Sequence, residues 1–153
     1  MQRRIFAVHC HLGLFLIAGS LWFSCGCGED SSGPPRKETF PVVGKVLVDG
    51  QPVENLAVYC ESLTEIDKEN PTKSQCFTQA DGTFKIGTYL SADGVPEGDY
   101  ALTFQWGETN GFTRVYEGDR LNGRYGDPKK SAIKFTVEPG EPTDIGTIEL
   151  TTK

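Results

Sequence analysis

At 153 residues the chain is long enough for one folded domain. With 37% hydrophobic and 24% charged residues it belongs to the globular class, and its 18 Gly and 9 Pro predict many turns and short strands rather than long helices. Lys and Arg number 15 against 21 Asp and Glu, a formal charge of −6, so the basic footprint of a nucleic-acid binder or an anionic-membrane binder is missing.

Arg3 and Arg4 stand ahead of a run of 12 residues, 12–23, that only Gly and Ser interrupt. A basic start followed by a short apolar stretch is the pattern of an export signal, and the run falls short of the roughly 20 residues that span a bilayer core. The run ends in Ser24-Cys25-Gly26-Cys27-Gly28, which resembles the bacterial lipoprotein signal, a Cys preceded by a small residue just past the apolar stretch. That resemblance implies removal of residues 1–26 and lipid attachment at Cys27, with Cys25 as the second choice. Arg3-Arg4-Ile5-Phe6 is also similar to the core of a twin-arginine signal, although the short basic region favours ordinary secretion. Residues 27–39, rich in Ser, Gly, Pro and charge, read as a flexible tether. The expectation is an exported protein, held on the cell membrane by its lipid and facing the periplasm or the cell surface.

Both histidines, His9 and His11, lie in the segment expected to be removed. What remains can build no Ser-His or Cys-His nucleophile pair, no His-containing metal site and no imidazole proton shuttle. Loss of Arg3 and Arg4 also takes the formal charge from −6 to −8, so the acidity belongs to the domain. Asp81, Asp93, Asp99 and Asp127 have no EF-hand spacing, and Asp81-Gly82 is first a turn signal. Neither a cofactor, a metal nor an enzymatic activity is expected.

The domain is expected over residues 40–153. Residues 42–48 alternate Val42, Gly44, Val46 and Val48 on one face before an Asp49-Gly50 turn, and Leu56, Val58 and Cys60 alternate in a second strand. Residues 62–75 have no apolar period and read as a solvated loop. Residues 76–80 and 83–90 flank Asp81-Gly82 as a hairpin, with Cys76, Thr78, Phe84 and Ile86 facing inward. If the second and third strands are antiparallel neighbours, Cys60 and Cys76 can meet, and in an oxidising compartment a disulfide between them is expected over two buried thiols. Residues 100–106 place Tyr100, Leu102, Phe104 and Trp106 on one apolar face, and a long irregular stretch follows, with a short strand near residues 114–116. Strands at 132–137 and 145–150 close the chain.

Taken in order, Val42-x-Gly44-x-Val46, Asp49-Gly50-x-Pro52, Leu56-x-Val58, Thr78-x-x-Asp81-Gly82-x-Phe84 and Pro96-x-Gly98-x-Tyr100 resemble the carboxypeptidase regulatory-like family. Arg124-Tyr125-x-Asp127-Pro128 is similar to a subgroup found as small bacterial lipoproteins. The resemblance implies an all-β, seven-stranded transthyretin-like (prealbumin-like) β-sandwich that serves as an accessory or surface module. Each matched residue has a structural reason, a turn or a core position, and none is chemical.

The segment richest in binding chemistry is 105–127, where Phe112, Tyr116 and Tyr125 stand among Arg114 and Arg124. Aromatic faces with guanidinium donors suit sugar rings, whose apolar faces stack and whose hydroxyls need several hydrogen bonds. The same residues could instead seal one end of the sandwich. Exposure separates the two readings: a surface or periplasmic interaction module, or a carbohydrate-binding accessory, needs exposed rings, and packing needs buried ones. The expected partners are therefore the membrane, through the lipid, and a glycan or another surface protein.

Overall fold

The structure is a computed structural model, and it describes residues 35–64, 71–109, 112–113 and 115–153. The export signal, Cys25, Cys27, most of the tether and Arg114 lie outside the described residues. All described residues belong to one unit, Gly33–Lys153. Among them there are ten strands and no helix: β1 (Val42–Val48), β2 (Gln51–Pro52), β3 (Ala57–Ser62), β4 (Ser74–Phe77), β5 (Thr83–Lys85), β6 (Gly98–Gln105), β7 (Gly107–Thr109), β8 (Tyr116–Asp119), β9 (Lys134–Val137) and β10 (Thr143–Leu150).

Two four-stranded sheets share one core. In the first, β1 runs between a parallel β10 on one side and antiparallel β2 and β5 on the other. The second has the order β4-β3-β6-β9, antiparallel throughout. Alternation along each strand sends one side chain in and the next out. From the first sheet Val42, Val46, Phe84, Ile148 and Leu150 point inward, and from the second Val58, Cys60, Leu102, Phe104 and Val137 join the same apolar cluster. Without the two-residue β2, seven strands make the two sheets, and β7 with β8 forms a separate ribbon.

The expected hairpin around Asp81-Gly82 takes a different form. The turn is there, with the Gly82 amide donating to the Gln79 carbonyl at 2.8 Å. Its two arms, however, join different sheets, β4 pairing with β3 and β5 with β1. Thr78 explains the departure: its buried hydroxyl donates to the Val53 carbonyl at 2.7 Å and accepts the Leu56 amide at 3.0 Å. Those bonds tie the end of β4 to the chain leading into β3, so β5 is released to pair with β1. One bridge, Gln75 to Gly87, still stitches the two sheets along this side.

The expected Cys60–Cys76 disulfide is corrected: both residues are free thiols. They lie on neighbouring strands, but Cys60 is opposite Ser74 and Cys76 is opposite Val58. A diagonal pair of this kind is separated by roughly 7–8 Å, beyond the roughly 4.4–6.8 Å between Cα atoms that a disulfide accepts. Burial pushes the Cys60 thiol up, and burial pushes Cys76 up to about 12. Tyr100 is also raised by burial, to about 12.

These three groups keep their protons when folded, at a pH where the unfolded chain loses them. Stability is therefore fully present below the unfolded thiol pKa of about 8.5 and falls as the pH rises beyond it. Urea titrations at pH 7 and pH 10 should give a lower midpoint at the higher pH. Thiol counting without reductant should find Cys60 and Cys76 slow to alkylate when native and fully alkylated when unfolded. A Cys60–Cys76 cross-linked peptide would contradict the free-thiol state.

Candidate binding surface

The ribbon is built on Asp119. Its carboxylate accepts the amides of Trp106 at 2.8 Å, Leu121 at 3.0 Å and Gly123 at 2.8 Å, which folds the chain back over the end of β6. Leu121 is fully buried and pins this turn to the core. Trp106 is half-buried against the core, and the Arg120 guanidinium lies 4.6 Å from its ring centroid. Arg120 also pairs with Glu108 across the ribbon, and this hydrogen bond holds the Glu108 carboxyl below the usual carboxylate range.

The rings set forward on this base are exposed. Phe112 is 101% exposed, Val115 59% and Tyr116 55%. Tyr116 lies over Gly107, where an added Cβ would come within 3.0 Å of the ring, so the bare backbone makes room for it.

The candidate residues of the sequence separate into two places. Phe112 lies in the connection between β7 and β8, and Tyr116 opens β8. Arg124 and Tyr125 lie elsewhere, on a cleft of about 190 Å³ between the two sheets whose floor includes Leu102, Ile133 and Ile148. Tyr125 is half-buried against the core, and its hydroxyl accepts the Thr151 amide at 3.0 Å. The Arg124 guanidinium, 5.9 Å from the Tyr125 ring, donates to the carbonyls of Thr151 and Lys153. Their contacts tie the chain after β10 to the domain, which is the packing role weighed for them.

Two aromatic rings that the sequence reading passed over sit on the outer face of the second sheet. Phe77 on β4 is 62% exposed, and Tyr59 on β3 is half-buried. The Tyr59 hydroxyl donates to Gln105 Oε1 at 3.4 Å, and Gln105 Nε2 donates to the Tyr116 hydroxyl at 3.1 Å. A chain of polar contacts thus runs from β3 across β6 to the ribbon. Beside it is a shallow hollow of about 340 Å³ lined by Tyr59, Glu61, Thr103, Gln105, Gly123 and Gly126, among others. Strand parity was the available signal, because both rings occupy the outward phase of strands whose inward residues are Val58, Cys60 and Cys76. Among the described residues no cluster of three or more metal-ligating side chains occurs.

No family model and no curated protein matches this chain. Among solved structures it is similar to the major pilin subunit of Bacillus cereus, at 11% identity and TM-score 0.39, over 74% of this chain and 29% of the pilin. It is similar to a 9R-lipoxygenase from Cyanothece, at 12% identity and TM-score 0.37, over 78% of this chain and 18% of the enzyme. The 5-hydroxyisourate hydrolase of Klebsiella pneumoniae is similar at 19% identity and TM-score 0.36, over 78% of this chain and 93% of the hydrolase. These TM-scores are too low for any of the three to carry an argument about what this chain binds or does.

Proposed function

We propose that this chain is an exported, membrane-anchored lipoprotein whose transthyretin-like β-sandwich is non-catalytic and acts as a surface or periplasmic interaction module. The observation that carries the reading is the exposed set Phe112, Val115 and Tyr116, in β8 and in the connection that leads into it. Apolar side chains left exposed and grouped along one element mark a surface that a partner covers. The export half of the reading rests on the apolar run 12–23 and on Cys27.

Two experiments test the two halves. Mass spectrometry of the membrane fraction should find an N-terminal peptide beginning at Cys27, or at Cys25, with a diacylglyceryl modification. A mature chain that starts elsewhere and stays in the soluble fraction would overturn the anchor. Photo-cross-linking from position 112 in native membranes tests the interaction surface.

A second reading is a carbohydrate-binding accessory module using segment 105–127. The Tyr59–Gln105–Tyr116 contacts favour it, because they fix two aromatic rings beside amide and hydroxyl groups.

A further inference from the structure

We propose that the outer face of the second sheet, continued onto the ribbon, is a platform for a neutral polysaccharide chain. The inference rests on the carbohydrate reading above and moves its centre from segment 105–127 to the sheet.

Register places the parts. Phe77 is opposite Ala57, and Ala57 is opposite Gln105, so Phe77 and Gln105 stand in one row two strands apart. At about 4.8 Å per strand that row covers roughly 10 Å. In the next outward row Tyr59 is flanked by Gln75 and Thr103. Tyr116 then extends the surface beyond Gln105, to which it is hydrogen-bonded. Rings thus stand at both ends and to one side of a floor made of small and amide residues. A sugar chain needs this alternation, because each ring offers an apolar face to stack and an equatorial rim of hydroxyls to bond.

The polar groups have capacity left for such a ligand. The Tyr116 hydroxyl accepts from Gln105 and keeps its own proton to donate. Glu61, an exposed residue of the hollow's lining, offers carboxylate acceptors to sugar hydroxyls. Gly123 and Gly126 present backbone without side chains, which lets a ring approach closely.

Charge selects among ligands. Glu61 and Asp119 line the hollow and no Lys or Arg does. With residues 27–153 at −8 once Arg3 and Arg4 are gone, a polyanion is repelled. The face also mixes rings with amide side chains, Phe77, Tyr59 and Tyr116 beside Gln75 and Gln105, which is the pairing of apolar face and hydrogen-bonding rim that a sugar chain needs. A neutral polyol satisfies both conditions.

The test is affinity gel electrophoresis of the purified full chain through gels holding mixed-linkage β-glucan, xylan, glucomannan or dextran, with alginate as the polyanion. The expected result is retardation by at least one neutral polymer and none by alginate. Tyr59→Ala and Phe77→Ser should each weaken that retardation by about tenfold, the scale of one lost stacking contact. Phe77→Ser removes an exposed ring, so it reports on binding even if Tyr59→Ala fails to fold. Loss with Tyr116→Ala or Phe112→Ala but not with Tyr59→Ala and Phe77→Ser would overturn the sheet platform and leave the ribbon reading standing. Retardation by alginate equal to that by the neutral polymers would overturn the charge argument and the proposal with it. No retardation by any polymer would overturn both the platform and the carbohydrate reading, while cross-linking from position 112 decides the interaction reading independently.

Discussion

Phe84→Ala should lower the unfolding free energy of the domain by about 3–5 kcal/mol, the range for removing a buried aromatic ring. Phe84 is 1% exposed and is opposite Gly44 in the β1–β5 register. The ring occupies the place where a side chain on Gly44 would be: a Cβ there would stand 2.6 Å from Phe84 Cζ. Truncation therefore leaves a void walled by backbone, which does not collapse readily. The loss is also structural beyond its area. Phe84 is the one inward side chain of the three-residue β5, and the chain after it runs through buried Ile86 to the Gly87 bridge on β4. Against a total of about 5–15 kcal/mol for a domain of this size, such a change brings the protein near its unfolding threshold. Urea denaturation measures it, and a shift below about 1 kcal/mol would mean that Phe84 is not a core residue.

Much of the two-sheet arrangement was legible because alternation is a strong signal. Residues 42–48 form β1 as read, and β6, β9 and β10 fall within a few residues of the expected runs, whereas β5 keeps only 83–85 of the expected 83–90 and β7 lies in the stretch expected to be irregular. The Asp49-Gly50 turn was legible for the same reason, since it closes β1 onto β2 directly. The Asp81-Gly82 turn was misread as a hairpin because a turn dipeptide says where the chain reverses but not which strand each arm then pairs with. That choice was made by Thr78, whose hydroxyl bonds span 22 and 25 residues. The disulfide failed on the same ground: parity placed both cysteines inward, while register, which parity does not fix, set them diagonal.

The candidate site was half legible. Phe112 and Tyr116 were found because they sit among arginines in a stretch with no apolar period. Arg124 and Tyr125 look identical in sequence, and only the contacts with Thr151 and Lys153 assign them to packing. Tyr59 and Phe77 lie inside strands, outside segment 105–127, the stretch whose lack of apolar period drew attention to its rings. Their phase, opposite to Val58 and Cys76, was the available sign.

The central claim is that this domain works by presenting the ribbon to a partner. Its second large expected effect is all-or-none: a photo-reactive benzoylphenylalanine at position 112 of the full chain should cross-link in native membranes, whereas the same group at Lys85 should not. Phe112 is fully exposed at the forward end of the ribbon, so a bound partner covers it. Lys85 is also exposed but lies on β5, on the outer face of the other sheet. Neither substitution touches the core, because both positions are exposed, and the unfolding free energy should stay within about 0.5 kcal/mol of the parent. The account predicts a discrete adduct, to a glycan-bearing polymer or a surface protein, from position 112 alone. No adduct from position 112, or the same adducts from both positions, would contradict it.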